Sequence, residues 1–413
     1  MCGSATSALK PAMKRILFVD DEPILLDGLR RMLMPHRARW ETMFAGGGDA
    51  ALRMLEACPC DVVVTDLCMP GMDGVQFLER VRDRFPGVVR ILLAGHGERD
   101  STLRAVTVAH QFVEKPCDSA FLLRSIECTC GLTSALQDQA IRRIVGAVGE
   151  LPCLPRTAAA LMRALDDPDV PASKVGQIVE QDVAISAKVM QLINSALFGR
   201  SQAIATIPHA VCFLGIDVLK QLVVTAEVFR AFRPERNIQG FGLEQIQSHS
   251  QLAAAIAARL PLPKAAVPAA AIAALLHDAG KLVLAARLPL ECERIRRLTI
   301  GGQLTFSAAE QQVLGASHAE IGAYLLALWG LPGPIVSAVA RHHRPAVEAG
   351  EDPRFGPPAA VYFANLLAHE RAPDPAAGSC GNESAMDQDY LRALELENEI
   401  DGWRAIAQSV ETH

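Results

Sequence analysis

Segments that read as β-strands crowd into the first third of this sequence and almost vanish after about residue 131. "RILFVD" (15–20), "DVVVTD" (61–66), "VRILLAG" (89–95) and "QFVEKP" (111–116) are short, apolar and bounded by turn formers. Amphipathic helical patterns such as "PILLDGLRRMLM" (23–34) and "GVQFLERVRDRF" (74–85) separate them. A strand followed by a crossover helix returns parallel to its neighbour. The alternation therefore predicts an α/β, doubly wound parallel sheet over 13–130.

The remainder predicts another architecture. "SALQDQAIRRIVGAV" belongs to a helical linker at 131–147. Helical patterns follow at 156–165, 173–180, 183–196, 206–214, 216–231, 243–260, 267–278, 305–314, 317–328, 332–342 and 356–369, punctuated by Pro and Gly. They make 148–370 an all-α domain in a multidomain chain. In 371–413, "RAPDPAAGSCGNESAMDQD" (371–389) predicts a mobile loop, followed by a last helix at about 389–410.

Charge narrows the partners. Forty Lys and Arg against 46 Asp and Glu leave a formal charge of −6, which argues against broad binding to nucleic acid or to a membrane surface. The basic spot in "ECERIRRLTI" (291–300) reads as a solvated helix face, and no helix-turn-helix with a basic recognition face stands out. No run of about 18 uncharged apolar residues reads as a membrane span, and the N-terminus does not read as a secretory signal. The 11 cysteines are scattered, and "CPC" and "CTC" lack the usual zinc-knuckle spacing. Reduced thiols in a cytoplasmic protein are the expectation.

Two sets of residues carry chemistry. Asp20 and Asp21 end the first strand, Asp66 ends a later one, and Lys115 ends another. Ligand sites of open α/β sheets lie outside the carboxyl ends of the strands. Three carboxylates there repel one another unless a cation joins them. Mg²⁺ suits such hard oxygen ligands, and a lysine would stabilise a phosphoryl group. The set "FVDDEP", "VVTDLCMPGMDG" and "VEKP" resembles the receiver domain of two-component response regulators, which has a flavodoxin-like fold. The resemblance implies that Asp66 accepts a phosphoryl group from a sensor histidine kinase. It also implies that Asp21, Asp66 and the backbone carbonyl of Cys68 bind Mg²⁺, that Asp20 holds a metal-bound water, and that Lys115 contacts the phosphoryl oxygens. Ala94 departs from the pattern, since receivers carry Ser or Thr there. Phosphorylation is expected to survive, with weaker coupling to the switch. Phe112, three residues before Lys115, takes the aromatic switch position or is an ordinary core residue.

The second set is rich in histidine. His249, the pair His277 and Asp278, His318, and the pair His342 and His343 lie on or beside successive apolar helical stripes. A lone histidine there is more often a core or surface residue. Several with an aspartate can converge on one or two metals, whose bound water becomes a nucleophile near neutral pH. Lys281 would offset phosphate charge.

The order of these residues is similar to the HD superfamily of metal-dependent phosphohydrolases. "QDVAISAKVMQLINSALFG" (181–199) and "IATIPHAVCFLGIDVLKQLVV" (204–224) resemble the signature of the HDOD output domain, over about 146–370. Three departures weaken an enzyme reading. Asn365 stands where HD enzymes carry a late Asp ligand. Gln245 stands where Glu is often offered, and no Gly-Tyr-Pro triplet follows "HHRP". HDOD domains are regarded as regulatory. The resemblance therefore implies a phosphorelay regulator whose HDOD domain acts through a downstream protein or self-association. The alternative is a receiver-regulated nucleotide or cyclic-dinucleotide phosphodiesterase holding Fe, Mn or Zn.

Overall fold

The structure is a computed structural model. It describes residues 13–95, 104–115, 119–132, 139–149, 151–165, 167, 169–194, 206–216, 218–219, 242–300, 304–345, 355–372 and 386–410.

Five parallel strands, β1 (Lys14–Val19), β2 (Trp40–Ala45), β3 (Val62–Asp66), β4 (Val89–Ala94) and β5 (Gln111–Glu114), lie in the order β2-β1-β3-β4-β5. This is the flavodoxin-like order. Every residue of β3 and β4 is buried, as expected for a parallel sheet with helices on both faces. Strand β2 was absent from the sequence reading. It is an edge strand, half-buried along its middle, and Glu41 and Thr42 interrupt its apolar run.

After residue 132 the described secondary structure is helical. Leu243–Ala257 packs on Val267–Leu276 and Pro357–Arg371, and His318–Leu328 packs on Ala279–Arg287 and Gly333–Arg341. Val267–Arg287 is long and apolar enough to cross a membrane by composition, but it breaks at His277 and Asp278 and is largely buried in the helical domain. The helix expected at 216–231 lies mostly outside the described residues. The single C-terminal helix expected at 389–410 is instead two, Gln388–Ala393 and Ile400–Ser409. Glu395 takes a left-handed φ of 58° and Leu396 N–H returns to Leu391 O, which closes the first helix. The second seals the domain by stacking Trp403 on Phe355.

The two domains are joined by buried polar contacts. Arg90 of β4 is fully buried and donates to Val108 O (2.5 Å) and to Gly146 O (2.7 Å) at the end of the helix Gln139–Gly146. His110 accepts from Arg90 N–H through Nδ1 (3.1 Å), so its Nε2 carries the proton and donates to Gly146 O (3.0 Å). Burial, with the Arg90 charge alongside, holds His110 well below its ordinary pKa. From the helical domain, Lys188 donates to Val106 O (2.7 Å) and Gly149 O (2.8 Å) and lies 4.8 Å from the Trp329 ring centre. Gln191 donates to His110 O (3.0 Å), and Gln111, the first residue of β5, donates to Leu328 O (3.1 Å). A Cβ on Gly146 would stand 2.2 Å from Pro86 O, and one on Gly149 would stand 2.2 Å from Thr107 O. Only glycine allows this backbone approach.

Two expectations follow. Gly→Ala in a helix ordinarily stabilises, but Gly146→Ala should lower the unfolding free energy by about 1–3 kcal/mol in chemical denaturation, because the methyl has no room. His110 is held neutral in the fold and titrates near 6.5 when unfolded. Its contribution is therefore intact above pH 6.5 and lost as pH falls below it. Stability measured against pH should fall on the acid side, less steeply in His110→Gln.

Candidate functional site

The acidic residues meet at the carboxyl edge of the sheet. One oxygen from each of Asp20, Asp21 and Asp66 lies within 4.8 Å of the others. Asp20 and Asp66 are buried and Asp21 is half-buried. Lys115 Nζ approaches Asp66 Oδ1 at 2.5 Å and Asp20 Oδ2 at 3.1 Å. Burial is the largest influence on Asp66 and raises its carboxyl; Lys115 opposes this and Asp20 adds to it. Burial would lower Lys115, but Asp66 and Asp20 outweigh it and hold the ammonium protonated. Hard oxygen donors with one lysine as counter-charge suit Mg²⁺.

Local structure sets this geometry. Glu22 N–H donates to Asp20 Oδ1 (2.9 Å), which turns the chain into the helix Pro23–Leu33. A Cβ on Gly74 would stand 2.1 Å from Asp66 O, so only glycine lets the next helix start close against the aspartate. Cys68, two residues beyond Asp66, is exposed in this turn. Ala94 is buried at the end of β4, and its carbonyl accepts from Lys115 N–H (2.7 Å). It offers the pocket no side-chain hydroxyl. Phe112 is wholly buried in the sheet, opposite Leu92.

The helical domain brings the histidines together around one carboxylate. A Cβ on Gly280 would stand 1.9 Å from His318 O, so helix Ala279–Arg287 crosses helix His318–Leu328 at backbone distance. The crossing brings Asp278 Oδ1 to 3.3 Å from His318 Nε2 and 3.9 Å from His342 Nε2. His318 Nε2 lies 3.2 Å from His342 Nε2 and 2.9 Å from His343 Nε2. Asp278 Oδ2 lies 2.9 Å from Lys281 Nζ and 3.5 Å from His277 Nε2. His277 Nδ1 donates to Ala274 O (2.6 Å) and His342 Nδ1 to Val339 O (2.7 Å), which turns both Nε2 atoms inward. His249 Nε2 bonds Asn365 Oδ1 at 2.8 Å. Gln245 is exposed, one turn before His249.

The electrostatics suit metal ligation. Burial lowers His277 and, with neighbouring imidazoles, holds His342 and His343 well below the ordinary value. Burial also takes His249 down to about 4. These are neutral rings with lone pairs to offer. Burial would raise Asp278, but Lys281, His277 and His318 hold its carboxyl well below the usual range. Burial, and to a lesser degree Lys281, would lower His318, but Glu310 and Asp278 outweigh them and bring it to about 9. His277 Nε2 and Asp278 Oδ1 are buried with no hydrogen-bond partner among the described residues. A cation between these atoms would satisfy both.

Glu310 and His369 were missed in the sequence. Glu310 is wholly buried and accepts from both the backbone N–H (2.8 Å) and Nδ1 (2.7 Å) of His318. Its only signal is a carboxylate on an otherwise apolar helix face, Phe306–Leu314. His369 stacks on His249 with ring centres 4.2 Å apart, one turn beyond Asn365 on the same helix. Removing one partner of a buried pair leaves the other uncompensated. Glu310→Ala should therefore cost about 3–5 kcal/mol in chemical denaturation, and Glu310→Gln less, since its amide oxygen still accepts.

Comparison with known proteins matches two families in tandem. The response regulator receiver domain family covers residues 16–127 and the HDOD domain family covers 151–345. An uncharacterized protein of Treponema pallidum is 28% identical over 205 residues, 48% of this chain and 39% of that protein. The hydrogenase transcriptional regulatory protein HoxA of Cupriavidus necator is 35% identical over 103 residues, 24% of this chain and 21% of that protein. The chain thus spans well under half the length of these relatives. Among solved structures, the MmoQ response regulator from Methylococcus capsulatus is 22% identical, covering 59% of this chain and 98% of that one, with a TM-score of 0.44.

Proposed function

We propose that this response regulator, a receiver domain joined to an HDOD domain, works as a phosphorelay switch. Asp66 accepts a phosphoryl group from a sensor histidine kinase, and the helical domain passes the state on through a downstream protein or a second copy of the chain. The observation that carries the reading is a continuous path. Lys115 touches Asp66 at one end of β5. Gln111, at the other end, bonds the carbonyl of Leu328. Leu328 ends the helix that begins at His318. Two rigid elements in series thus join the acidic pocket to the histidine cluster.

In the transfer, an Asp66 carboxylate oxygen attacks phosphorus, the P–O bond forms, and the P–N bond to the donor imidazole breaks. Mg²⁺ held by Asp21, Asp66 and the carbonyl of Cys68, with Asp20 on a bound water, would supply charge neutralisation for this step. Lys115 follows the phosphoryl oxygens and carries strand β5 with it. Ala94 has no hydroxyl to draw its loop inward, which leaves β5 as the principal link. The cytoplasm is the expected location, consistent with the free thiols of Cys58, Cys60, Cys212 and Cys292.

A second reading, a receiver-regulated phosphohydrolase, draws on the orphaned His277 and Asp278 atoms. In it, His249, His277, Asp278, His318, His342, His343 and Asn365 hold Fe, Mn or Zn, and Lys281 meets substrate phosphate. Metal-dependent turnover of nucleotides or cyclic dinucleotides, lost in His277→Ala, would establish this alternative.

Acetyl phosphate or beryllofluoride with Mg²⁺ should modify the wild type and leave Asp66→Ala unmodified, read by intact mass or phosphate-affinity gels. On modification, amide exchange should rise at 105–111 and 146–149, where the domains meet. Equal labelling of Asp66→Ala would overturn the assignment.

A further inference from the structure

We infer that the joint between the two domains is a proton-sensitive latch: uptake of a proton by His110 releases the helical domain from segment 105–111 while each domain stays folded. The inference concerns the unmodified chain and stands apart from the phosphorelay reading.

The geometry leaves the ring no place for a second proton. His110 N–H donates to Arg90 O (2.8 Å), so the residue extends the pairing of β4 with β5. Its Nδ1 accepts from Arg90 N–H (3.1 Å), and its Nε2 donates to Gly146 O (3.0 Å). A neutral imidazole has one donor and one acceptor, and both are used. A proton at Nδ1 would turn the acceptor into a donor aimed at Arg90 N–H. Two buried donors would then lose their partner.

Charge acts in the same direction. Arg90 of β4 places Nη2 3.0 Å from His110 Nε2, and Arg82 and Asp83 act in turn on that guanidinium. Lys188 arrives from helix Val183–Asn194 and donates to Val106 O and Gly149 O. Helix Gln139–Gly146 carries Arg142 and Arg143 on the turn before Gly146. Helix His318–Leu328 contributes Tyr324, whose phenol burial raises to about 12. The charges that act on the ring are those of Arg90 and Lys188, and both are positive. An imidazolium here would be a third cation among buried carbonyls, which accept hydrogen bonds but carry no counter-charge.

Undocking removes both penalties. Gly146, Gly149, Lys188 and Gln191 all meet segment 105–111 from across the joint. Without them the ring, 1% exposed in the docked form, and the Arg90 guanidinium meet water. The ring then titrates near its ordinary 6.5. Protons therefore bind the open form in preference, and its population grows as pH falls through that value, by up to about tenfold per pH unit. Asp182, just before the helix that carries Lys188, has the opposite sign. Burial raises its carboxyl to about 6, so acid favours its buried form. The sensor also stands next to Gln111, whose bond to Leu328 O lies in the same joint.

Amide exchange of the full-length, unmodified protein between about pH 7.5 and about pH 5.5, corrected for the effect of pH on the exchange chemistry itself, tests this. Opening at 105–111 and 146–149 should rise by up to about tenfold per pH unit below about pH 6.5. Strands β1 and β3 should stay protected, with circular dichroism unchanged. In His110→Gln, whose amide donates and accepts without titrating, opening should be flat in pH. Wild-type joint opening that ignores pH, or that comes only together with loss of protection in β1 and β3, would overturn the latch. Acid opening that begins at 333–341, or an undiminished pH slope in a folded His110→Gln, would overturn it equally. If the variant does not fold, the order of opening in the wild type decides alone.

Discussion

Two buried cations hold this molecule together across its domain boundary. Arg90 and Lys188 both end on backbone carbonyls, the first on Val108 and Gly146 and the second on Val106 and Gly149. Burying a charge is costly unless its donors are satisfied. Carbonyls satisfy them only if the backbone arrives in the right place, so these contacts demand one docking geometry. The glycines at 146 and 149 let that backbone arrive. An apolar interface of equal area would tolerate sliding, whereas this one specifies register.

Much of the molecule was legible in the sequence. Central strands are continuous apolar runs because both faces are covered, and the acidic residues at their ends marked the first pocket. The edge strand Trp40–Ala45 was not visible, because partial exposure lets it carry Glu41 and Thr42. The histidines stood out because imidazoles are uncommon on apolar helices, but which partner each ring engages was hidden. That depends on where Asp278 directs each oxygen and on what Asn365 engages, both of which are tertiary facts. Lys188 was hidden for a related reason. In a helix this apolar, a single lysine reads as the solvent side, yet its ammonium is buried against Trp329.

The cluster and the interface obey a common rule. In both, glycine permits a backbone approach that no side chain would allow, at Gly280 against His318 and at Gly149 against Thr107. In both, the approach sets a polar group among buried partners. Such arrangements contribute more to uniqueness of structure than to net stability.

The helix His318–Leu328 has a consequence of its own. Its first residue belongs to the histidine cluster and its last carbonyl binds the receiver, so it is one body shared by two sites. Coupling through a shared body is reciprocal for binding equilibria. Under the proposed switch, a phosphoryl group at Asp66 that favours one setting of this helix would shift what the cluster binds, and a ligand at the cluster would shift the favourability of the acyl phosphate by the same factor.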